Sequence, residues 1–499
     1  KEDSELLDEV VVVGYGAQKK ENLTGAVASV RVDETLASRP IADVGRGLQG
    51  AVSGLTVTVP SGEVGSDPVM KIRGQIASIE GSSKPLILVD NVEIPSIQMI
   101  NPDDIESISV LKDAASASIY GAKGAFGVIL ITTKKGAKTD KFEITYSSNF
   151  SWQNPTKKIK MAGIEGLQYT LDAQRNRGSD DVAGGFWRVN EESIEKMKEW
   201  QNKYSGTVKD SDPVVYGRDW YFDGVNKFGY RIYDGTKAMI NDWTPSQTHN
   251  LSVNGKSGKT AYNIGLGYLK QEGLMKPAKH DDFKRYNASF NLSSELNKYI
   301  SVRAGAIYSD RNKRYPEFGT TVADPWLYLY RWSRLFPVGV TERDMPLRTP
   351  DYETATTFTS NRQNKYYSVN LGTTITPLKD WDIRFDYTYS NEQNITNAAR
   401  PTLSGGDIWY TPIAWKDQDG NQVYVDDAGK PTDVGGMPAY QFPQTMYQDK
   451  SWISRNSGKV DQHVFNIYST YNLNLGKEQE HKFKFMVGSN IVKKDWESN

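Results

Sequence analysis

The sequence predicts an antiparallel, up-and-down membrane β-barrel that follows an N-terminal α+β domain. Two observations predict the barrel: long segments in which apolar and polar side chains alternate, and connections that alternate between short and long. In residues 142–152 the apolar side chains share one parity and the polar ones share the other. This period of two indicates a strand with one apolar and one polar face. Strands of about 9–11 residues suit a bilayer, whereas strands of soluble proteins are usually about 5–6 residues long.

Nine segments of the chain carry this pattern, and their spacing supports the same fold. The gaps after the second, fourth, sixth and eighth are short, those after the first, fifth and seventh are long, and the third is intermediate. Tight periplasmic turns that alternate with larger outer loops are typical of such a barrel, and so are aromatic residues near the strand ends and a polar lumen. The candidate strands lie at residues 142–152, 247–254, 260–270, 284–294, 299–309, 366–376, 381–391, 464–474 and 482–492.

Composition excludes several other classes of protein. The chain has 499 residues, no cysteine, a net charge of −1 and a mean hydropathy of −0.59. No apolar run approaches the ~18 residues of a spanning helix, near-neutral charge gives no sign of nucleic-acid binding, and thiolate chemistry is excluded. The chain begins at Lys1 without a signal peptide, so we expect a mature or trimmed form. An open sheet of nine strands would leave two unpaired edges in lipid, so we also expect further strands to complete the barrel.

The residues ahead of the first candidate strand have a different character. Residues 85–94 are expected to form a hairpin that turns at Asp90 and Asn91, a pair that tolerates positive φ. Residues 102–104 read Pro-Asp-Asp, which is typical of a helix start. They are followed by a predicted strand at 105–110, a short helix at 114–120 that Gly121 can cap, and an apolar strand at 128–133. These segments predict a small α+β domain directly before the barrel.

Several motifs of this chain occur in the same order in a known family. The chain resembles the SusC/RagA-like TonB-dependent outer-membrane transporters, most densely over residues 7–136. Where that family usually has Gly, Ala and Asn, this chain has Asn91, Gly124 and Phe126. The motifs are LDEVVVVGYG at 7–16, LTGAV at 23–27, LQGAVSGL at 48–55, IRG at 72–74, LVD at 88–90, the block 112–136, and DW, HNLSV and GYLKQEG at 242–243, 249–253 and 267–273.

The resemblance implies a barrel of about 22 strands when complete, with the α+β domain as a plug inside its lumen. It divides the chain into a leader with a TonB box (residues 1–13), the plug (14–138) and the first part of the barrel with long extracellular loops (139–499). It further implies an integral protein of the Gram-negative outer membrane that imports a large nutrient. Energy would come from TonB with ExbB and ExbD, and a SusD-like surface lipoprotein would act as a lid. An oligosaccharide is the expected cargo, and an oligopeptide is the alternative.

The candidate TonB box is a β-prone segment that follows an acidic leader. Such a segment can add itself as a strand to the edge of a partner's sheet, and traction on it would reach the plug. The alternative is that the valines form the first strand of the plug itself. The residues assigned to the box are Asp8, Glu9, Val10, Val11, Val12 and Val13.

Aromatic residues are the candidates for contact with cargo or lid. Nine of the twelve tryptophans fall in or beside the gaps between the candidate strands. Flat rings suit sugar faces and also anchor protein interfaces, but the same rings could pack the loops against one another. Pro325 is expected to open a short helix at the densest cluster. The residues assigned to cargo or lid are Trp326, Tyr330, Trp332 and, in the plug, Phe126.

Other motifs give weaker signals. Residues 45–50 match G-x-G-x-x-G, but they lack the preceding strand and long helix of a dinucleotide site, so plug packing is the expected role. Residues 417–421 resemble part of a calcium loop without its Gly and Glu, so we expect a loop hairpin and no cofactor, with calcium left open. The histidines have no metal spacing, and no catalytic constellation is evident, so no enzyme is expected. A passive porin or a surface scaffold is the alternative of another class, although a plug would obstruct the first and a scaffold would not need a TonB box.

Overall fold

The computed structural model describes most of the chain. The described residues are 10–13, 16–19, 26–32, 44–59, 63–74, 84–137, 139–140, 142–156, 159–178, 182–184, 187–317, 325–329, 331–448, 450–475 and 481–498. Among them, no helix is both long and apolar enough to cross a membrane. They form a wall of long strands, a small domain packed on the polar face of that wall, and a group of folded loops at one end of it.

Among the described residues, nine short strands lie ahead of the wall. Five of them form one sheet in the order β3-β8-β9-β6-β7, and the others pair as two hairpins, β1 with β2 and β4 with β5. Their bounds are β1 (Val10–Val13), β2 (Gly16–Lys19), β3 (Val27–Arg31), β4 (Leu55–Thr58), β5 (Val69–Ile72), β6 (Leu86–Val89), β7 (Val92–Glu93), β8 (Ile105–Leu111) and β9 (Val128–Thr133).

The predicted hairpin and strands of this domain are confirmed, whereas the helix predicted at 114–120 ends at Ala117 and is followed by a 3-10 turn that continues past Gly121 to Gly124. Asp90 and Asn91 both have positive φ, at 46° and 69°, and they connect β6 to the antiparallel β7 as the hairpin predicts. β8 and β9 lie where the apolar patterns place them, and both are buried on the domain core. The short helices are α1 (Val44–Gly47) and α2 (Ala114–Ala117), with 3-10 turns at Ile97–Met99, Pro102–Asp104 and Ser118–Gly124.

The wall consists of nine described strands in one sheet, each antiparallel to the next. The predicted strands and their order are therefore confirmed, and so is the alternation of tight turns with long loops. The strands are β10 (Phe142–Gln153), β11 (Thr244–Ser257), β12 (Thr260–Glu272), β13 (Asp282–Glu295), β14 (Ile300–Pro316), β15 (Thr359–Leu378), β16 (Trp381–Arg400), β17 (Trp452–Leu475) and β18 (His481–Ser498).

The two parities of the wall strands face different surroundings. On β13 the apolar Phe290 is exposed, whereas Ser289 and Asn287 of the neighbouring parity are buried against the small domain. On the outer face, Tyr268 lies between His249 and Tyr286, with ring centroids 6.1 Å and 5.1 Å apart. An apolar band with such an aromatic row is what a lipid-facing barrel surface requires.

Five wall strands extend at least six residues farther outward than predicted, and one of them is β18, which continues to Ser498. β14 continues to Pro316, β15 begins at Thr359, β16 continues to Arg400 and β17 begins at Trp452. The added segments, such as residues 391–397, carry polar side chains at both parities. Beyond the lipid neither face has to be apolar, so the backbone ladder continues where the alternation of side chains ends.

The long outer loops carry structure of their own. Their helices are α3 (Ile164–Arg175), α4 (Glu191–Tyr204), α5 (Gly235–Met239), α6 (Pro325–Tyr328) and α7 (Pro350–Thr356), and α6 confirms the helix expected at Pro325. Short strands pair within the loops at Val182–Gly184, Trp187–Val189, Trp220–Phe222, Lys227–Gly229, Leu403–Gly406, Ile413–Ala414, Tyr424–Val425, Met437–Pro438, Tyr440–Gln441 and Gln444–Gln448.

Candidate functional site

The three long loops share one hydrophobic core. We call them loop 1 (residues 154–243), loop 2 (317–358) and loop 3 (401–451). Trp187 and Trp220 of loop 1 pack on Phe442 of loop 3, and the rings of Trp220 and Phe442 stack with centroids 4.2 Å apart. Phe336 of loop 2 packs on Trp187 in the same core. The loops therefore form one folded unit above the wall, which we call the loop module.

Buried polar contacts join the loops of this module. The Nε1 of Trp187 donates to the carbonyl of Ile408 at 3.1 Å, and Arg348 of loop 2 pairs with the buried Asp407 of loop 3 at 2.9 Å. Lys227 is 1% exposed, and burial lowers the pKa of its amine to about 8 while the nearby Asp407 opposes that shift. Buried donors and acceptors that satisfy one another fix the relative positions of loops far apart in sequence.

A second buried ion pair organises loop 1. The carboxylate of Asp219 is fully buried and accepts hydrogen bonds from Arg218 at 2.8 Å and from the indole of Trp200 at 2.9 Å. It also accepts from the backbone N–H of Val215 at 2.9 Å. A buried carboxylate with this many donors holds its surroundings rigidly, because removal of one partner leaves a charge without compensation.

The four aromatic residues predicted to contact cargo or lid do not share one environment in the structure. Trp332 is only 2% exposed, and its ring meets Phe336 and Trp409 edge to face, so it lies inside the loop module and not on a surface that cargo or a lid can reach. The expected role is therefore wrong for Trp332, because its indole fills the shared core. The backbone of Trp326 lies in α6, its side chain lies outside the described residues, and Tyr330 lies outside them altogether. Phe126 is half-buried in the plug, and its role stays a prediction.

The segment that resembles a calcium loop forms a turn. The Asp417 carboxylate accepts hydrogen bonds from the backbone N–H groups of Asn421 and Asp419, which lower the pKa of Asp417. A backbone bridge pairs Lys416 with Gln422 on either side of the turn. Among the described residues, no group of three or more His, Asp or Glu side chains is arranged to hold a metal ion.

The small domain is tied to the wall near its outer end by ion pairs. Arg311 of β14 donates to Asp67 at 3.3 Å and to the hydroxyl of Ser96 at 2.9 Å. Two positions farther along the same face of β14, Lys313 pairs with Glu63. The small domain therefore fills space on the lumen side of the wall, which is the position of a plug.

The contact between plug and wall is not continuous. A cavity of about 300 Å³ lies between the plug strands β6, β7 and β9 and the wall strands β13 to β17. Arg303 and Asp386 line it and pair with each other at 2.9 Å, and Tyr366 and Asn466 contribute to the same wall. Polar groups around an open space suit the passage of a hydrated solute.

The candidate TonB box lies partly in the described residues. Asp8 and Glu9 fall outside them, and Val10–Val13 form β1, which pairs antiparallel with β2. The chain then enters the plug sheet at β3, where the carboxylate of Asp113 accepts the backbone N–H of Ala26 at 2.5 Å. This hydrogen bond is the largest of the effects that lower the pKa of Asp113 to about 2. Traction on the N-terminal segment would therefore arrive at the edge strand β3.

Comparison with known proteins agrees with this architecture. Residues 19–128 match the family model of the TonB-dependent Receptor Plug Domain. TonB-dependent receptor P26 of Formosa agariphila is 28% identical over 81% of this chain and 37% of its own length. TonB-dependent receptor SusC of Bacteroides thetaiotaomicron is 28% identical over 64% of this chain and 28% of its own length. The chain thus spans well under half of these curated relatives.

Solved structures share the fold. The RagAB peptide importer in its open-open state superposes with a TM-score of 0.66 over 98% of this chain and 50% of that one, at 22% identity. Its closed-closed state gives a TM-score of 0.62. The nine-stranded wall is accordingly part of an outer-membrane β-barrel with a plug on its lumen side. The plug match, the curated relatives and the shared fold together support a SusC-like TonB-dependent transporter family for this chain.

Proposed function

We propose that this chain supplies the plug and nine wall strands of an energised importer that carries a large nutrient, an oligosaccharide, across the outer membrane. The observation that carries the proposal is the plug itself: it is packed on the lumen face of the wall and is preceded by a β-prone segment. A plugged lumen obstructs passive flow, so transport requires that the plug moves. A strand-forming segment ahead of the plug is a means by which a periplasmic partner can pull on it.

TonB, supplied with energy by ExbB and ExbD, is the proposed partner, and residues 8–13 are the proposed contact. Val10–Val13 pair with β2 through backbone hydrogen bonds of the same kind that strand addition to a partner would use. A strand that pairs at four positions in a two-stranded hairpin makes few backbone hydrogen bonds. Exchange of this pairing for a partner's sheet edge is therefore inexpensive, and the hairpin supports the assignment of the box.

A SusD-like lipoprotein is the proposed lid, and the loop module is its proposed seat. The module is folded by its own core, and therefore presents a formed surface at the outer end of the wall. Tyr169, Tyr410 and Tyr424 are exposed on it, and Trp243 is exposed at its base. Exposed aromatic rings are suited to anchor a protein interface or to cover a sugar ring.

An oligopeptide is the second candidate cargo. The likeness to the RagAB peptide importer favours it, although at 22% identity that likeness concerns the fold. The lumen-facing Arg303 and Asp386 offer both charges to a zwitterionic chain. The exposed aromatic rings of the loop module favour the oligosaccharide.

Growth of a deletion strain tests the importer and its cargo together. The strain is supplied with single oligosaccharides or peptides as the limiting nutrient and is complemented with the full-length gene or with the gene lacking residues 8–13. We expect growth on an oligosaccharide to need the full-length gene. Growth lost on peptides alone would assign the alternative cargo, and equal growth with both genes would contradict energised import.

A further inference from the structure

A short turn of the plug is buried against the wall strands β10 to β13. The turn comprises residues 101–104, with a 3-10 turn at Pro102–Asp104, and Asn101 caps it by accepting the backbone N–H of Asp103. Asn101 and Asp104 are each only 3% exposed. Polar side chains are rarely buried so completely without a specific set of partners.

Those partners come from three strands of the wall. The amide of Asn101 donates to the Asn250 side chain of β11 at 3.1 Å, and Ser147 of β10 donates to the carboxylate of Asp103 at 3.0 Å. From β13, the hydroxyl of Ser289 donates to Asp104 at 2.8 Å. Asn287 of the same strand donates to the carbonyl of Met99, just before the turn, at 2.7 Å.

Strand β12, which lies between β11 and β13, leaves space for the turn because two of its residues are glycines. Gly265 and Gly267 lie on its lumen-facing parity, directly under the turn. A Cβ at position 265 would stand 1.9 Å from Oδ1 of Asp104, and a Cβ at 267 would stand 2.7 Å from Nδ2 of Asn101. Neither glycine has a positive φ, so the requirement for glycine here is the space and not the backbone conformation. The two positions form a notch whose shape matches the turn.

One atom of the turn is left without compensation. Oδ1 of Asp104 has no hydrogen-bond partner among the residues that the structure describes, and it lies over the backbone of Gly265. Burial is the main effect that raises the pKa of Asp104 to about 6; the Ser289 hydroxyl and Lys134 act to lower this pKa, and the neighbouring Asp103 acts to raise it. A buried carboxylate with one unsatisfied oxygen is costly in its ionised form.

We propose that residues 101–104 are the docking key of the plug and that Gly265 and Gly267 form the notch that receives it. Asp104 is a positioning residue whose buried charge limits how firmly the key is held. The inference rests on the proposed function in one respect, since a plug that must move needs a contact that is specific in place but limited in strength. The shape of the notch and the hydrogen bonds determine where the key binds on the wall. The ionised carboxylate keeps the contact from becoming permanent.

Hydrogen exchange of the plug in the full-length transporter tests this without any energy source or cargo. The measured quantity is the exchange rate of β8, which directly follows the key, relative to the intrinsic rate at each pH. Asp104→Asn keeps a side chain of the same shape and removes the charge. We expect exchange to slow by about tenfold or more at pH 7.5, because each unit of pKa shift corresponds to a factor of ten. The rate of energised uptake should fall in the same variant.

A matched pair of glycine variants tests the notch. Gly265→Ala should speed exchange of β8 at least about tenfold, since the added methyl group occupies the place of the Asp104 carboxylate. Gly458→Ala is the control, because the nearest atom to a Cβ at that wall glycine is 3.9 Å away. Heat-modifiable migration in gels shows that each barrel has folded, so a loss of plug protection can be assigned to the notch.

Three results would overturn the proposal. One is equal exchange of Asp104→Asn and the natural protein at pH 7.5, and another is equal exchange of the two glycine variants. The third is an exchange rate of the natural protein that does not change with pH. The pKa of Asp104 is raised in the docked plug, so docking is strongest at low pH and weakens as pH rises through about 6. The natural protein should show this change between pH 5 and 7.5 and Asp104→Asn should not. Because exchange is read without transport, failure of the importer proposal would leave these results interpretable.

Discussion

The Nζ of Lys227 in loop 1 lies 2.8 Å from the backbone carbonyl oxygen of Tyr410 in loop 3, to which it donates a hydrogen bond. The same ammonium group lies over the ring of Trp187, 5.7 Å from its centroid. A single buried side chain thus connects two loops through residues that are 183 positions apart in sequence. The loop module behaves as one unit only if such contacts hold, and this can be tested.

Lys227→Met should destabilise the module by about 1–3 kcal/mol, because the hydrogen bond from a charged donor to the Tyr410 carbonyl is lost. Limited proteolysis of loops 1 and 3 in the folded transporter measures the effect. Lys198→Met on the exposed face of α4 is the matched control and should leave the cleavage rate unchanged. Equal cleavage of both variants would show that the loops are not joined through Lys227.

Substitution of two tryptophans, Trp332 and Trp243, distinguishes a role in packing of the loop module from a role in binding. Trp332→Ala should lower the stability of the loop module by about 3–5 kcal/mol, the usual cost of removing a large buried aromatic side chain. Trp243 is 59% exposed, so Trp243→Ala should leave protease resistance unchanged and reduce binding of cargo or lid. The opposite pattern, with a stable Trp332→Ala module that fails to bind, would restore Trp332 to the role expected from sequence.

Glu353 of α7 should make loop 2 sensitive to pH. Burial raises its pKa to about 7, although Arg348 and Arg400 lower it. Because the folded pKa is raised, the stabilising contribution is complete below the ordinary pKa near 4.5 and is lost as pH rises through about 7. Glu353→Gln should remove this dependence and make loop 2 more resistant to protease at pH 8 than the natural protein. Parallel pH profiles of the two proteins would contradict the assignment.

Deletion of residues 8–13 should abolish uptake while the barrel still folds and binds cargo, because the proposed contact with TonB is lost. Uptake of labelled cargo by whole cells measures this, with binding to de-energised cells as the second reading. A variant with isoleucine at all four valine positions of β1 is the control: it keeps the β-branched pattern and should retain uptake. Normal uptake by the deletion variant would favour a passive pore.

The proposed lipoprotein should co-purify with the transporter through the loop module. A stable interface of this kind buries about 1,600 Å² or more. Cross-links should fall in loops 1 to 3 and be absent from the short turns at the opposite end of the wall. A fully active transporter without a bound lipoprotein, or cross-links confined to those turns, would show the proposed seat to be wrong.

The local sequence pattern was sufficient to predict the strands of the wall and several elements of the plug. Alternation of side chains depends only on neighbours two positions apart, so it placed all nine wall strands and the exposed Phe290 with the buried Ser289. The Asp90–Asn91 turn could also be predicted, since few residue pairs accept two positive φ values. The resemblance in motifs added the plug and the family, which composition and spacing leave open.

Other features required the tertiary structure, because they depend on residues far apart in the chain. The burial of Trp332 is decided by Trp409 of another loop, and no local signal distinguishes a core indole from an exposed one. Gly265 and Gly267 are visible in the sequence as two glycines on one parity, yet only the packed plug shows that Asp104 occupies their space. Sequence by itself determined which face of each strand is polar, since that is a local property. Tertiary structure decided what each polar face holds, since the plug and the wall contribute to that contact from opposite parts of the chain.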